Sequence, residues 1–498
     1  MKRSVLILML CCFFVKYELQ AQSVSENMAL RVATNFFQLN PANATINIRP
    51  LGGGHSPAMY VCEYSNKWVL IAGDMRVESI LAYSDEEGVA FPSEDNMPPA
   101  MRYILESYSN LITTVQKGDC KNDCHADWNM SEDNCGFRVQ NRDVVVSPLL
   151  IRDGHEVIWG QTGNNDYPSD TARIYNKFCP PRNNCNHAAA GCVAVAIGQI
   201  MWYWQWPYAQ TTQYNINRIV NTYDWDNMPY QLTNASSLEE ADMIATLLHD
   251  IGVSVSMDYG CSSSSAFLQD ATSALRNKFY YNADEPIERS NFVDSTWFNM
   301  LKGNLNNQRP VLYAGYSSAW GAHAFVVDGY SSNNYYHVNL GWTGEGNGNY
   351  NLNSLSSSNQ YMVANIYPNY NFYCTPFNVP YTDCWPTNFT VQHGGGITLW
   401  QISITNGMRG HIYSEEFIKI TEGVYINLGA EVYIGIKGSR CCEEQINPAL
   451  NYMIASSSAN KSRESANTIS NAQKVFKDGH VYIIRGENTY NASGIRIK

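Results

Sequence analysis

The sequence predicts an α+β protein that ends in a β-rich domain, and three observations predict it. Segments with helical periodicity concentrate before residue 306. The stretch Pro310 to Trp342 alternates like an antiparallel sheet, and after Pro368 helical signals give way to short β-like runs punctuated by glycine. A chain of 498 residues has room for two to four domains and a sizeable core. Its 45% hydrophobic and 16% charged content excludes a disordered chain. The formal net charge of −12 argues against a nucleic-acid partner and gives no attraction to anionic membranes.

At the N-terminus, Met1-Lys-Arg precedes an apolar run from Ser4 to Val15, followed by Leu19-Gln-Ala-Gln. This pattern predicts a secretory signal peptide, residues 1–21, cut near Ala21. The run is too short to span a bilayer, and no later run of about 20 apolar residues exists. Leu8-Met-Leu-Cys11 resembles a lipoprotein cleavage box, but its large Leu before the cysteine disfavours lipidation.

Met28 to Phe37 then reads as an amphipathic helix, Ala58 to Tyr64 and Lys67 to Ala72 as strands, and the segment opening at Met97-Pro-Pro as a helix with proline at its start. The Asp, Asn and Cys-rich stretch Lys117 to Asn134 reads as an exposed linker open to proteases. Val144-Val-Val-Ser-Pro-Leu-Leu-Ile begins a new region and leads to Val157-Ile-Trp-Gly-Gln161. A long Asn/Pro/Cys-rich loop follows and runs to His187. Helices are expected at Cys192 to Trp206, Leu238 to His249, Ala266 to Lys278 and Trp297 to Leu305, with a strand from Val253 to Gly260. Three strands follow, around Val311, Phe325 and Val338, and Gly344 to Asn349 reads as a flexible loop. After Pro368 only β signals remain, with a Ser/Asn-rich loop at 456–471 and a final hairpin-like piece from Gly479.

Fourteen cysteines in an exported chain permit several disulfides, and Cys120/Cys124, Cys179/Cys185 and Cys374/Cys384 are close enough in sequence to bridge. Their spacing makes no zinc site, so no structural metal is expected.

The chemistry gathers around Ala188-Ala-Ala-Gly-Cys-Val-Ala-Val-Ala-Ile-Gly-Gln-Ile-Met201. Cys192 falls at the first turn of a buried helix, where unpaired N–H groups and the helix dipole favour a thiolate. Taken alone it reads equally well as a small buried cysteine or half a disulfide. A cysteine nucleophile needs a base, a group orienting that base, and donors for an oxyanion. His323, on a strand between Gly321-Ala322 and Ala324-Phe325, is the base of choice. His187, nearer in sequence, has no evident orienter. Asn339, one hairpin beyond His323, is the expected orienter, with Trp342 shielding that bond. Gln161, 31 residues before Cys192, supplies an oxyanion donor beside the Cys192 N–H. Each residue has a bland alternative as core or turn, but the order Gln, Cys, His, Asn on these elements is much more specific.

Trp159-Gly-Gln161, Gly191-Cys-Val-Ala-Val-Ala-Ile-Gly-Gln-Ile-Met, Met257-Asp-Tyr-Gly, Arg309-Pro-Val-Leu-Tyr-Ala-Gly, His323-Ala-Phe-Val-Val-Asp-Gly-Tyr and His337-Val-Asn-Leu-Gly-Trp-Thr-Gly recur in the order of a known family. Together they resemble the streptopain family of papain-like cysteine peptidases, over roughly residues 23 to 367. The resemblance implies a papain-like fold with a helical half and an antiparallel β half, preceded by an α+β prodomain that blocks the cleft until cleaved. It implies Cys192 as nucleophile, His323 as general base and acid, Gln161 as oxyanion donor and Asn339 as orienter. Two positions depart from the family pattern: Leu340 stands where Trp is usual, and Ala322 where Gly is common. With Gly321 and Trp342, Ala322 is expected to shape or shield the cleft.

The expected organisation is therefore a signal peptide (1–21), an inhibitory propeptide (22–140), a peptidase domain (141–367) and a C-terminal β-rich domain (368–498). The expected function is a secreted or cell-surface cysteine endopeptidase made as a zymogen, whose chemistry calls for no cofactor. Its partners would be protein or peptide substrates and its own propeptide, with no nucleic acid and no transmembrane segment. Two alternatives compete: a thiol amidase or transpeptidase on the same fold, and a non-catalytic surface adhesion protein working through the β-domain.

Overall fold

The computed structural model describes residues 23–369 except 41–44, 53–55, 86–88, 119–124, 132–133, 138–142, 164–170, 208, 212–218, 320 and 356–357. After 369 it describes short strands between 377 and 491 and the residues beside them. The expected signal peptide, the cysteines Cys120, Cys124, Cys374 and Cys384, and the segment 456–471 lie outside the described residues. Two compact units emerge, each drawing on separate pieces of the chain.

The first unit comprises residues up to 203, 229–269 and 284–366, and is built on one eleven-stranded sheet. Its strands in chain order are β1 (Asn47–Leu51), β2 (Met59–Tyr64), β3 (Lys67–Ala72), β4 (Ile80–Ser84), β5 (Val144–Val146), β6 (Ile287–Glu288), β7 (Val311–Ser317), β8 (Gly321–Ser331), β9 (Tyr336–Asn339), β10 (Gly348–Tyr350) and β11 (Gln360–Val363). Across the sheet the order is β1-β2-β3-β4-β10-β9-β8-β7-β11-β6, with β5 added on β8. The N-terminal meander and the later strands are therefore one sheet, joined where Ala82 pairs with Tyr350 and Tyr83 with Asn349.

The helices of this unit are α1 (Glu26–Phe36), α2 (Pro99–Gln116), α3 (Cys192–Trp204), α4 (Leu238–Ser254) and α6 (Asp294–Asn306), while α5 (Leu268–Asn277) begins here and continues into the second unit. Period-two alternation sorts the side chains of β2 and β3 between two cores. Tyr60, Cys62, Val69 and Ile71 meet Ala29, Val32, Ala33 and Phe36 of α1. Val61, Trp68 and Leu70 join the larger core, with Tyr103, Ile104 and Tyr108 of α2, Trp297 and Leu301 of α6, and Tyr313, Phe325 and Val327 of β7 and β8.

Local chemistry explains the helix starts. Ser25 caps α1 by accepting from Met28 N–H, and Ser237 with Glu240 forms a capping box on α4. Proline opens α2, at a position whose N–H needs no helical partner. Two expectations change. The strand expected at Val253 does not form, because α4 runs on through Ser254, leaving only an isolated bridge between Asp258 and Ser265. The stretch 117–134 is not wholly an exposed linker: Trp128 is buried and donates its indole N–H to Val77 O, while His125 N–H bonds Met75 O. A large apolar ring outweighs the polar composition around it.

The second unit takes 204–228, 270–283 and the chain after 366. Its C-terminal part is a stack of parallel coils. Phe377 lies beside Ile397 and Ile397 beside Ile418; Asn388 pairs with Arg409 and Arg409 with Glu431; Ser403 pairs with Tyr425. Each coil thus returns to the same face after 20 to 22 residues, and Ile397, Leu399, Ile404, Ile412, Val432 and Ile434 fill the interior. An antiparallel meander, 431–436, 472–477, 480–485 and 488–491, closes the stack and contains the expected final hairpin. The β-rich character was expected; the parallel repeat was not.

Candidate active site

Cys192 is the first residue of α3, as the sequence predicts. The turn before it is fixed by backbone bonds: Ala188 N–H to Pro180 O, Ala189 N–H to Gly260 O, and Ala190 N–H to Gln161 O at 2.9 Å. Ser264 Oγ donates to Ala189 O at 2.7 Å. Gly191 has φ +91°, and a Cβ there would lie 2.8 Å from Met257 Sδ, so both backbone conformation and space demand glycine. Further along α3, a Cβ on Gly198 would lie 2.8 Å from Leu248, which lets α4 pack closely.

The thiol meets β8. Ala324 N–H donates to Cys192 Sγ at 3.4 Å, and Ala324 follows His323 directly. Strand β9 pairs with β8 only from Asn339, opposite Val326, so the sulfur takes the edge position that β9 leaves vacant. The helix terminus was expected to lower the thiol pKa. Instead burial pushes it up, and the N–H groups of Ala324, Val193 and Cys192 itself only partly offset this.

His323 is half-buried on β8, opposite Gly315 of β7. Directly opposed residues leave an antiparallel pair on the same face. A Cβ on Gly315 would sit 2.1 Å from Tyr103 Cε1, so this face is covered by α2. Glu106, one turn further along α2, accepts a hydrogen bond from Ser317 Oγ. The imidazole thus leaves the strand on the α2 side, while the thiol sits at the strand edge.

Gln161 is half-buried beside the nucleophile turn, which its carbonyl holds. Thr343 N–H bonds Trp159 O, placing the turn after Trp342 against the Trp159–Gln161 segment. Trp342 is half-buried, Gly321 likewise, and Ala322 is exposed at the start of β8. Asn339 does not orient His323 here. Its Nδ2 donates to Glu156 Oε1 and to Val157 O, both at 2.7 Å, and its Oδ1 accepts Gly341 N–H. The strand register explains this: Val326, its partner, faces away from the side of His323. His187 remains apart, its carbonyl accepting from Asn176.

Sequence reasoning missed three features. Cys185 bonds Cys261, so the Cys179/Cys185 pairing expected as feasible does not form, and Cys179 is a buried free thiol. The partners lie 76 residues apart, beyond any local spacing signal. Glu156 links Asn339 to Asn347. Asp328 and His337 form a buried pair, Oδ1 to Nδ1 at 2.6 Å, and Asp328 Oδ2 also accepts Leu150 N–H. Among the described residues no cluster of His, Cys, Asp or Glu suits a metal ion.

This geometry can be set beside known proteins. The Peptidase C10 family matches residues 170–350, and the Spi protease inhibitor family matches residues 21–112. Streptopain of Streptococcus pyogenes is 31% identical over 330 residues, 62% of this chain and 77% of streptopain. The chain belongs to the streptopain family. The thiol protease/hemagglutinin PrtT of Porphyromonas gingivalis is 28% identical over 366 residues, 68% of this chain but only 40% of PrtT. A solved fragment of Prevotella intermedia prointerpain A shares 25% identity with a TM-score of 0.50, covering 65% of this chain and 99% of the fragment. The family matches assign 170–350 to a papain-like cysteine peptidase and 21–112 to an inhibitor-type prodomain, the two parts of a zymogen.

Proposed function

We propose that the protein is an exported cysteine endopeptidase held latent by its prodomain, with Cys192, His323, Gln161 and Asn339 as its working residues. The observation that carries the reading is the contact of Cys192 Sγ with the backbone of β8 immediately beside His323. In the latent form α2 covers the His323 face of β7 and β8, and Tyr103 fills the space opposite the imidazole. Cleavage of the linker frees α2, and the imidazole turns to the strand edge where the thiol waits. Asn339 orients the imidazole only if its side chain exchanges its bonds to Glu156 and Val157 O for one to His323.

His323 takes the thiol proton, and the thiolate attacks a peptide carbonyl carbon. The oxyanion accepts from the Cys192 N–H and the Gln161 side-chain amide. His323 returns its proton to the leaving amine as the C–N bond breaks. Water, deprotonated by His323, then attacks the thioester carbonyl and releases the acid and the thiol. Protein substrates follow from the family and the inhibitor-type prodomain. Export rests on the basic start and apolar run of residues 1–21. Among the described residues no helix is long and apolar enough to cross a membrane.

The test uses the chain from Gln22 and its Cys192→Ala form under mild reduction. Self-shortening, with casein hydrolysis blocked by a thiol alkylator in the first and neither in the second, is the expected result. Equal behaviour of the two chains sinks the assignment.

A further inference from the structure

Beside the active-site turn lies a cavity of about 560 Å³ whose chemistry the peptidase reading does not use. Its peptidase side includes Gly154, His155, Glu156, Tyr230 and the turn Thr343–Glu345. Its other side is the prodomain segment 89–93 with Asn96. The imidazole of His155 stacks on the ring of Tyr230, centroids 4.4 Å apart and planes 8° from parallel, and gives the cavity a flat wall. No lysine or arginine lines it.

Two acidic residues line this space, and they differ. Glu156 is occupied by the amides of Asn339 and Asn347. Among the described residues, no hydrogen bond or ion pair reaches the carboxylate of Glu345. Only its backbone is engaged, N–H to Trp342 O. Its position is nonetheless fixed: Gly344 and Gly346 hold φ of +83° and +73°, Leu340 N–H closes the turn on Asn347 Oδ1, and Thr343 N–H bonds Trp159 O. Burial raises its pKa, with no basic neighbour to offset the desolvation. A carboxylate on a rigid turn, partly withdrawn from water and lacking a cation, is complementary to one.

The site is within reach of the reacting bond. Cys192 follows the turn at Ala190, Ala190 bonds Gln161, and a Cβ on Gly160 would lie 2.6 Å from Thr343 Cγ2. Glu345 is two residues further. One extended peptide rising about 3.3 Å per residue spans this path in a few residues.

We propose that the cavity is a substrate subsite for a lysine or arginine side chain, with Glu345 as its charge partner and the His155–Tyr230 stack as its wall. The proposal rests on the peptidase reading and names a substrate feature within it. In the zymogen the prodomain roofs the subsite with Phe91, Pro92 and Ser93 and brings no cation to Glu345. Removal of the prodomain opens the subsite to the substrate. The aliphatic stem of a lysine or arginine lies along the wall of stacked rings.

The experiment uses the self-processed enzyme and quenched peptides identical except for Lys, Arg, Leu or Glu scanned through three positions on each side of the cleaved bond. At one position Lys and Arg should exceed Glu in kcat/KM by about tenfold. Glu345→Gln should bring that ratio within about twofold of unity, Glu345→Lys should invert it, and Glu345→Asp should retain its direction. Each ratio is taken within one preparation, so loss of folded protein does not move it. Cleavage of the Leu peptides with no Lys-over-Glu preference, or a preference unchanged in Glu345→Gln, overturns the subsite and leaves the peptidase standing. No cleavage of any peptide overturns both.

Discussion

At the residue scale, Cys192 shows two effects in competition and which of them prevails. A helix N-terminus lowers a thiol pKa, burial raises it, and here burial dominates. A raised pKa means that the neutral thiol persists through pH 7 and that thiolate appears only above the ordinary cysteine range. In the proposed activation His323 comes beside the sulfur, and an imidazolium partner there would reverse the shift. Alkylation of Cys192 in the zymogen should therefore accelerate only at alkaline pH. In the processed enzyme the rate should already be on its plateau near neutrality. Superimposable pH–rate curves for the two forms would refute the account. The placement of Cys192 at a helix start, of Gly191 in the turn before it and of Gln161 beside that turn was legible in sequence because these features are local. The binding of Asn339 to Glu156 was not, because it depends on a register three residues out of step with His323.

At the element scale, the proposed latency rests on one helix packed on two strands. Gly315 is small because Tyr103 occupies the volume a side chain would need. Gly315→Ala should strain that contact by about 1–3 kcal/mol. That multiplies the unlatched population by roughly 5- to 150-fold, and the lag before self-processing should shorten accordingly. In a Tyr103→Ala background the same substitution should have little further effect, since its clashing partner is gone. A full effect in that background would assign the strain elsewhere. The Cys185–Cys261 bond acts on a neighbouring pair of loops, those whose Pro180 and Gly260 carbonyls hold the nucleophile turn. Replacing both cysteines by serine should lower stability by about 2–5 kcal/mol and Tm by roughly 3–8 °C. Calorimetry under non-reducing conditions reads this directly, and an unchanged Tm refutes it. Helices and strands of the first unit were mostly legible because their periodicities are strong. The joining of β4 to β10 was not, because a pairing between residues 82 and 350 leaves no local trace.

At the scale of the whole molecule, the two units differ in how they store information. The first is held by contacts between distant segments, and its chemistry sits in short motifs that sequence reading finds. The second repeats a coil of 20 to 22 residues, with Ile397, Ile418 and their like stacked in columns. Its repeat is conformational: the positions recur, yet Asn388, Arg409 and Glu431, which occupy one column, share no chemistry. A sequence can therefore be read as β-rich without showing that its strands run parallel. The arrangement yields a prediction about the division of labour. All four proposed working residues lie in the first unit, and the coils from 377 onward have their own apolar interior. The cut between catalysis and coils does not fall at 366. Tyr367 and Pro368 pair with Asn282 and Tyr281, and Asn369 N–H bonds Tyr280 O, so these three residues complete a segment that follows α5. A chain ending after Asn369 should fold, self-process and cleave small peptides with kcat/KM within about twofold of the full chain. One ending after Asn365 loses those pairings and should be less stable. If the longer truncation is inactive while its Cys192 still reacts with an alkylator, the coils take part in catalysis and the assignment of all chemistry to the first unit is wrong.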